Sequence, residues 1–159
     1  MQPKEQGGFR VRFQTVKIEN PSGSNIIIGE VHNLKTVQEI HQQLLQVRPG
    51  IQFGLTYIEA ARPNVVKYSG TDEALVHLAR INACKIGASS VFILFLDNDF
   101  PIHAMEAIKG VPNVSEIYCA TPNPVEVIVN QSEKGRSLMG LVDDYSSVGE
   151  KTAAVEKIY

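Results

Sequence analysis

The sequence has little cysteine, little net charge and no long apolar run, and each shortage excludes a class of protein. Its two cysteines, Cys84 and Cys119, lie far apart, so we expect reduced thiols rather than a disulfide or a metal site. The net charge is −2 and the basic residues are scattered, which argues against nucleic-acid binding. The longest apolar run, residues 91–96, is too short to cross a bilayer, so no membrane association is predicted.

Several sequence signals are also missing. The chain contains no G-x-x-x-x-G-K-S/T phosphate loop, no G-x-G-x-x-G dinucleotide fingerprint and no G-x-S-x-G nucleophile turn. Its first eight residues are polar and lack the apolar centre of a secretory signal. We therefore expect a cytoplasmic protein. If it binds a nucleotide, it does so without the common phosphate loops. We also expect residues 1–8 to form a flexible tail.

The pattern of the remaining sequence predicts one α/β domain over residues 1–159. A content of 43% hydrophobic and 20% charged residues suits a soluble globular chain of this length. Strand-like segments alternate with helical periodicity three times, and two hairpins, one of them turning at residues 62–64, interrupt the alternation. The clearest helix has Thr71 as its expected N-cap and Gly87 as its expected end. This order predicts a single layered domain with a mixed β-sheet covered by helices. Phe9, Val11 and Phe13 predict a half-buried first strand, and the polar stretch from Val148 suggests a frayed terminal helix.

Residues 26–36 place a glycine, an acid and a histidine between an apolar strand and a helix. Thr36 and Glu39 fit a capping box, and an apolar stripe follows them. His32 and Lys35 would then lie just ahead of the helix N-terminus, where backbone N–H groups and the helix dipole favour anions. This arrangement suits a phosphate or an acidic ligand. The alternative is that His32 is an ordinary loop residue.

Two further segments carry carboxylates at strand ends. Asp97-Asn98-Asp99 follows the most apolar strand, and these side chains could hold Mg²⁺ through waters, fix ribose hydroxyls or cap the next helix. We expect Asp99 to serve as a cap and leave Asp97 open. Glu59 ends another strand on the same face as its apolar residues, so its carboxylate would need a partner. The candidates are Arg62, Lys67 and His32.

A rigid turn provides a candidate for base recognition. In Thr121-Pro122-Asn123-Pro124 the two prolines restrict the backbone on both sides of Asn123. A fixed amide can donate and accept hydrogen bonds, which suits the edge of a purine. Rigid turns also occur without a function, so a purely structural role stays open.

These segments, taken in order, resemble one family. From about residue 26 to about residue 149 the chain is similar to the adenosine-specific kinases, which are small archaeal and bacterial proteins. The resemblance implies a single-domain α/β protein that binds adenosine or AMP, forms a homo-oligomer and is a candidate phosphotransferase. The matching segments include 29–32 (Gly-Glu-Val-His), 53–55 (Phe-Gly-Leu), 98–102 (Asn-Asp-Phe-Pro-Ile), 117–124 (Ile-Tyr-Cys-Ala-Thr-Pro-Asn-Pro) and 140–143 (Gly-Leu-Val-Asp).

The same resemblance implies a set of site residues. The expected catalytic residues are His32, Lys35 and Glu59, with His32 as phosphate ligand, general base or phosphoacceptor and Lys35 neutralising phosphate charge. Mg²⁺ is the expected cofactor only if phosphoryl transfer occurs. Two other functions stay open, namely a nucleotide sensor without turnover and an oligomeric scaffold. The expected ligand-binding residues are Asn98, Thr121, Asn123 and Asp143. Asn123 would orient the nucleoside, and Asp143 would bind ribose or metal.

Overall fold

The structure is a computed structural model that describes residues 11–143 and 154–159. The tail expected at residues 1–8, and the part of the expected terminal helix at residues 148–153, lie outside the described residues, and residues 154–159 are not helical. The strands are β1 (Arg12–Lys17), β2 (Asn25–Val31), β3 (Gln52–Glu59), β4 (Val65–Gly70), β5 (Val91–Asp97), β6 (Val114–Thr121), β7 (Glu126–Ser132) and β8 (Gly135–Val142). The helices are α1 (Leu34–Val47), α2 (Glu73–Ile86) and α3 (Pro101–Lys109).

The fold is α/β, as predicted, but the prediction of a mixed sheet is wrong. A central sheet has the strand order β4-β3-β5-β2-β6 and a second sheet has the order β1-β7-β8, with every neighbouring pair antiparallel. Residues 91–96 are buried on both faces, which is common in parallel sheets. Here the cause is different, because elements cover both faces of an antiparallel sheet.

Two apolar clusters cover the faces of the central sheet. Alternation along β2 points Ile27 to one face and Ile28 to the other. On the first face Ile27 packs with residues of α1 and α3, including Leu44 and Ala104. On the second face Ile28 packs with residues of α2 and the small sheet, including Ala83 and Val127. The molecule therefore has helices on one side of the sheet and a helix plus a second sheet on the other.

The start of α1 differs from the prediction by one turn. Asn33, not Thr36, is the N-cap, and its Oδ1 accepts a hydrogen bond from the backbone N–H of Thr36 at 2.8 Å. Strand β2 continues through Gly29, where a Cβ atom would lie 2.5 Å from the Phe92 ring. The glycine therefore permits close packing within the sheet and does not end the strand. His32 precedes the cap, while Lys35 lies inside the first turn of the helix.

Helix α2 begins one residue later than predicted and ends as predicted. Asp72, rather than Thr71, caps it by accepting from the backbone N–H of Leu75 at 3.0 Å. Gly87 ends it with φ of +59°, a left-handed conformation that glycine adopts at little cost. Local rules thus locate this helix to within one residue.

Strand β1 is more exposed than predicted. Phe13 is 65% exposed, and Val11, which precedes the strand, is 53% exposed. The prediction of a half-buried first strand is therefore wrong for these two residues. Val16 alone among the apolar residues of β1 packs against the core. The physical reason is that β1 lies at the edge of the small sheet, whose outer face no described element covers.

The antiparallel register gives the central sheet two distinct ends. At the Asp99 end, Asn25 of β2 lies opposite Leu96, and Gln52 of β3 lies opposite Asp97. At the His32 end, β2 finishes at Val31 and β3 finishes at Glu59. A strand of this length spans roughly 20 Å at ~3.3 Å per residue. Side chains at the two ends therefore belong to separate sites.

Candidate functional site

A cavity of about 700 Å³ opens at the Asp99 end of the central sheet. The loop after α1, the loop between β5 and α3, and the turn after β6 form its walls. This size lies within the ordinary range for small-molecule sites, about 300–1,000 Å³. We call it the Asp99 cavity, and its lining residues are Asn25, Arg48, Pro49, Gly50, Ile51, Asn98, Asp99, Phe100, Pro101, His103 and Pro122.

A charge network centred on Asp99 lies in this cavity. The Asp99 carboxylate is 8% exposed and its Oδ2 lies 2.8 Å from Nε of Arg48. Its Oδ1 lies 2.5 Å from Nδ1 of His103 and accepts from the backbone N–H of Phe100 at 2.8 Å. Arg48 Nη2 also contacts Nδ1 of His103. We assign the Nδ1 proton to the bond with Asp99, because a carboxylate oxygen at that distance requires a donor.

The environment of Asp99 favours its ionised form. Burial by itself raises the pKa of this carboxyl group. The hydrogen bonds from His103 and Phe100 and the charge of Arg48 outweigh burial, so the pKa of Asp99 lies below its ordinary value. Asp99 is therefore a fixed anion that orients one cation and one imidazole toward the same cavity.

Asn98 positions the loops that carry this network. Its φ is +51°, a left-handed conformation that asparagine tolerates better than most residues. Its Oδ1 accepts from the backbone N–H of Gln52 at 3.0 Å, and its Nδ2 donates to the carbonyl of Gly50 at 3.3 Å. Nδ2 of Asn25 donates to the carbonyl of Asp99 at 2.9 Å. The Asn98 amide thus pins the loop after α1 to the end of β5.

Phe100 provides an aromatic surface at the cavity. Its side chain is 70% exposed, although it lies next to the buried carboxylate of Asp99. Pro101 follows it and restricts its backbone to the extended conformation observed, φ −85° and ψ 145°. Its ring meets the His103 ring edge-on, with centroids 6.0 Å apart. An exposed aromatic face of this kind can stack on a nucleobase.

The turn at residues 121–124 separates the Asp99 cavity from a smaller one. Thr121 is 4% exposed, and its Oγ1 accepts from the backbone N–H of Asn123 at 3.0 Å. Pro122 lines the Asp99 cavity, whereas Pro124 and Asp143 line a neighbouring cavity of about 350 Å³. The structure therefore brings Asn98 and this turn to one end of the sheet, with Asp143 beyond the turn.

Asp143 also acts on a nearby thiol. Cys119 is buried, and burial raises its pKa to about 12, with the Asp143 charge adding to the effect. Both cysteines are free, as expected from their positions in the sequence. Cys119 is therefore a neutral core residue at ordinary pH, not a nucleophile.

His32, Lys35 and Glu59 lie at the opposite end of the central sheet. The His32 side chain is 62% exposed, and its Nε2 lies 3.6 Å from Oε1 of Glu30. Lys35 is exposed in the first turn of α1. Glu59 ends β3 and forms no ion pair with another described residue, including the three partners expected for it. The predicted catalytic residues are thus separated from the predicted nucleoside-binding residues.

Acidic groups dominate the surroundings of His32. Glu30 of β2 lies opposite Glu116 of β6, and the hydroxyl of Tyr118 donates to Oε2 of Glu30 at 3.4 Å. Burial, followed by the charges of Glu30 and Glu116, raises the pKa of Tyr118 to about 12. Like charges placed opposite each other across two strands repel. Two acids therefore lie close to His32, and Lys35 follows as an exposed cation in the first turn of α1.

The sequence analysis did not identify Arg48 or His103 as site residues. One signal was available, because Asp99 and His103 are four residues apart at the start of a helix and such residues face each other. Arg48 lies 51 residues before Asp99, and no local pattern connects them. The contact exists because β3 and β5 are neighbours, which places the preceding and following loops together.

Two absences hold for the described residues. None of their helices is both long enough and apolar enough to span a membrane. In residues 11–143 and 154–159, no three histidine, cysteine or acidic side chains converge as a metal site. Mg²⁺ often binds through one or two carboxylates, several waters and the phosphates of a substrate, and this mode does not require such a cluster.

An α/β domain with a cavity and a buried charge network at one end of its sheet has the features of a small-ligand-binding protein. The adenosine-specific kinase family model matches residues 16–157, so the chain belongs to the adenosine-specific kinase family. The chain is also similar to the crystal structure of PH1918 protein from Pyrococcus horikoshii OT3, with a TM-score of 0.82 and 39% sequence identity. That match covers 90% of this chain and 88% of the other. No curated protein sequence matches the chain significantly.

Proposed function

We propose that the chain binds adenosine and AMP in the Asp99 cavity and transfers a phosphoryl group to or from the ribose hydroxyl. Family membership supports an adenosine-related, kinase-like function. The observation that carries the choice of site is the buried Asp99 carboxylate, which holds Arg48 and His103 beside the exposed Phe100 ring. The cavity volume also suits a nucleoside.

Each group in the cavity has a role that its chemistry supports. Phe100 stacks on the adenine ring, and the rigid turn at residues 121–124 lies where it can bound the base. Arg48 is 43% exposed, so its remaining N–H donors are available to the phosphate of AMP. Asp99 fixes the positions of Arg48 and His103, and Asn98 fixes the loops behind them.

Phosphoryl transfer would use His103 as the general base. In the forward direction the ribose oxygen forms a bond to phosphorus, the bond to the donor's leaving oxygen breaks, and Nε2 of His103 accepts the hydroxyl proton. Asp99 stabilises the resulting imidazolium through Nδ1, as an orienting carboxylate does in hydrolytic triads. Arg48 offsets the negative charge of the transferring group, and such electrostatic positioning supplies most of the catalysis in this reaction class. Mg²⁺, if it takes part, would share charge neutralisation with Arg48.

We also propose that a second copy of the chain covers the outer face of the small sheet. Phe13, Met139 and Val142 expose more than half of their side chains there, and β1 is an edge strand. Uncovered apolar sheet edges favour pairing with another chain. Light scattering should give a mass above the 17.5 kDa of one chain. A monomer at micromolar concentration would contradict this assembly.

Calorimetric titration tests the ligand. At the Asp99 cavity, adenosine and AMP should bind more tightly than ATP, because this cavity offers one arginine and no phosphate loop. Phe100→Leu should weaken both ligands, whereas Tyr68→Leu, at an exposed aromatic residue of β4 outside this cavity, should weaken neither. If neither adenosine nor AMP binds the folded protein, the proposed function is wrong. Binding without AMP formation from adenosine and ATP would instead favour a sensor.

A further inference from the structure

A second cavity lies between three turns at the His32 end, on the side of the sheet covered by α2. Its volume is about 640 Å³. The turn between β3 and β4, the loop after α2 and the turn between β7 and β8 form its walls. We call it the basic cavity because its charged lining residues are Arg62, Lys134 and Arg136.

The charges of the basic cavity are not balanced within the described part of the chain. Three cations line it and no carboxylate does. Arg62, Lys134 and Arg136 take no part in any ion pair among the described residues. The acids nearest to them in sequence, Glu59 and Glu133, do not line the cavity. Cations gathered without an anion repel one another, so this arrangement favours a bound anion.

Arg136 carries the most specific signal. Its Nε is buried and has no hydrogen-bond partner. Buried donors are almost always satisfied, and an unpaired one requires an explanation. The carboxyl end of α2 is close, since a Cβ on Gly87 would lie 3.8 Å from this Nε. That helix end favours a cation. Even so, Nε donates to none of its carbonyls, so the helix alone leaves the donor unsatisfied.

The turns around the basic cavity are held in place before any ligand binds. Nδ2 of Asn64, in the first turn, donates to the carbonyl of Gly87 at 3.1 Å and joins two of the three walls. In the third turn, the backbone N–H of Lys134 donates to Oγ of Ser132 at 3.2 Å. Because these walls are fixed, a ligand would bind with little cost for ordering the loops.

We propose that the basic cavity binds a multiply charged phosphate group, either free or at the end of a phosphorylated metabolite. Arginine presents its N–H donors in a fork that matches two phosphate oxygens, and two arginines with one lysine offset several negative charges. The cavity lies at the other end of the sheet from Asp99, so it is a separate site and does not depend on the proposed function.

Calorimetric titrations with pyrophosphate and with ATP, at constant ionic strength, test this site. Arg136→Gln and Lys134→Gln should each weaken binding at least tenfold. Arg80→Gln is the matched control, because Arg80 is exposed and lies over the Tyr68 ring outside this cavity. Arg136→Gln removes an unpaired donor and should not lower the melting temperature. Lys134 is exposed at a turn, so its variant tests the site without risk to the fold.

The two ligands distinguish the sources of the phosphate. If pyrophosphate binds and its binding depends on Arg136, the result supports a free phosphate ligand. If only ATP binds and its binding depends on Arg136, the result supports a phosphate carried by a metabolite. Equal affinities for wild type and Arg136→Gln with both ligands would overturn the proposal, as would no binding of either ligand at millimolar concentration. Failure of AMP to bind at the Asp99 cavity would leave these outcomes unchanged.

Discussion

The two ends of the central sheet differ in how their charged groups are arranged. At the Asp99 end, a buried carboxylate holds an arginine and a histidine beside a cavity of about 700 Å³. At the His32 end, a mostly exposed histidine lies 3.6 Å from Glu30, and Glu116 lies opposite that acid. The sequence motif at His32 is the more conspicuous of the two. The structure places the more ordered polar network where the sequence offered only an acidic strand end.

This contrast shows why residue types alone are a weak guide to a site. His32 and His103 are both histidines near helix starts, and both have an acidic neighbour. Only His103 shares its acid with an arginine and lines a large cavity. Burial reduces the screening of charges by water, so the Asp99 network is stronger than an exposed pair at the same distance.

Substitution of the two histidines gives the largest expected difference between the ends. His103→Ala should lower the rate of AMP formation from adenosine and ATP about a hundredfold, which is the ordinary effect of removing a general base. His32→Ala should change the rate less than twofold. His77→Ala is the control, since His77 is exposed on α2. A large loss in His32→Ala with none in His103→Ala would move the chemistry to the His32 end.

Substitution of the two cations tests where phosphate binds. Arg48→Ala should weaken AMP about tenfold or more, because a hydrogen bond to a charged group contributes ~1.5–3 kcal/mol. Adenosine, which lacks the phosphate, should lose less. Lys35→Ala should leave both affinities within twofold. Calorimetry measures all four values, and the reverse pattern would place the phosphate at the start of α1.

Local elements of the fold could be predicted because short-range rules determine them. Asp72 and Gly87 bound α2 almost where capping rules place its ends. The turn at residues 62–64 joins β3 and β4 into the predicted hairpin. Strand direction was wrong, since β5 pairs with both β2 and β3 over long sequence separations that no local pattern encodes.

The candidate site was predictable only in part, for the same reason. Asn98 and the turn at residues 121–124 were found from their residue types, and both lie at the Asp99 end. The pair of Asp99 and His103 could have been found from its i, i+4 spacing. Arg48 could not, because its contact arises only when the loops before β3 and after β5 come together.

The pH dependence of stability tests the Asp99 network. Asp99→Asn should lower the free energy of unfolding at pH 7 by roughly 1.5–3 kcal/mol, since it weakens bonds to two partners. The pKa of Asp99 is lowered in the folded state, so this stabilisation is present above the ordinary aspartate pKa of about 4. It is lost as pH falls through the lower folded value.

Urea unfolding of wild type and variant from pH 7 to pH 3 measures that difference. Asp97→Asn is the matched control, because Asp97 adjoins the network in sequence but forms no ion pair within it. A difference that stays constant down to pH 3 would show that Asp99 stabilises the protein by its shape rather than by its charge.

The smallest expected effect concerns the acidic surroundings of His32. Burial and the charges of Glu30 and Glu116 raise the pKa of Tyr118 to about 12, so Glu30→Gln should lower that pKa toward its ordinary value. The raised pKa stabilises the fold below about pH 10 and the effect is lost as pH rises toward 12, so the titration is followed only while the protein stays folded.

Ultraviolet absorbance of tyrosinate measures the shift, with Tyr118→Phe identifying the signal. Glu39→Gln serves as the control, because Glu39 is not among the causes of the shift. An unchanged titration in Glu30→Gln would mean that burial and the Glu116 charge hold the proton without Glu30. The surface around Glu30 would then be less acidic than its geometry indicates, and the argument for the phosphate of AMP at the Asp99 cavity would rest on Arg48.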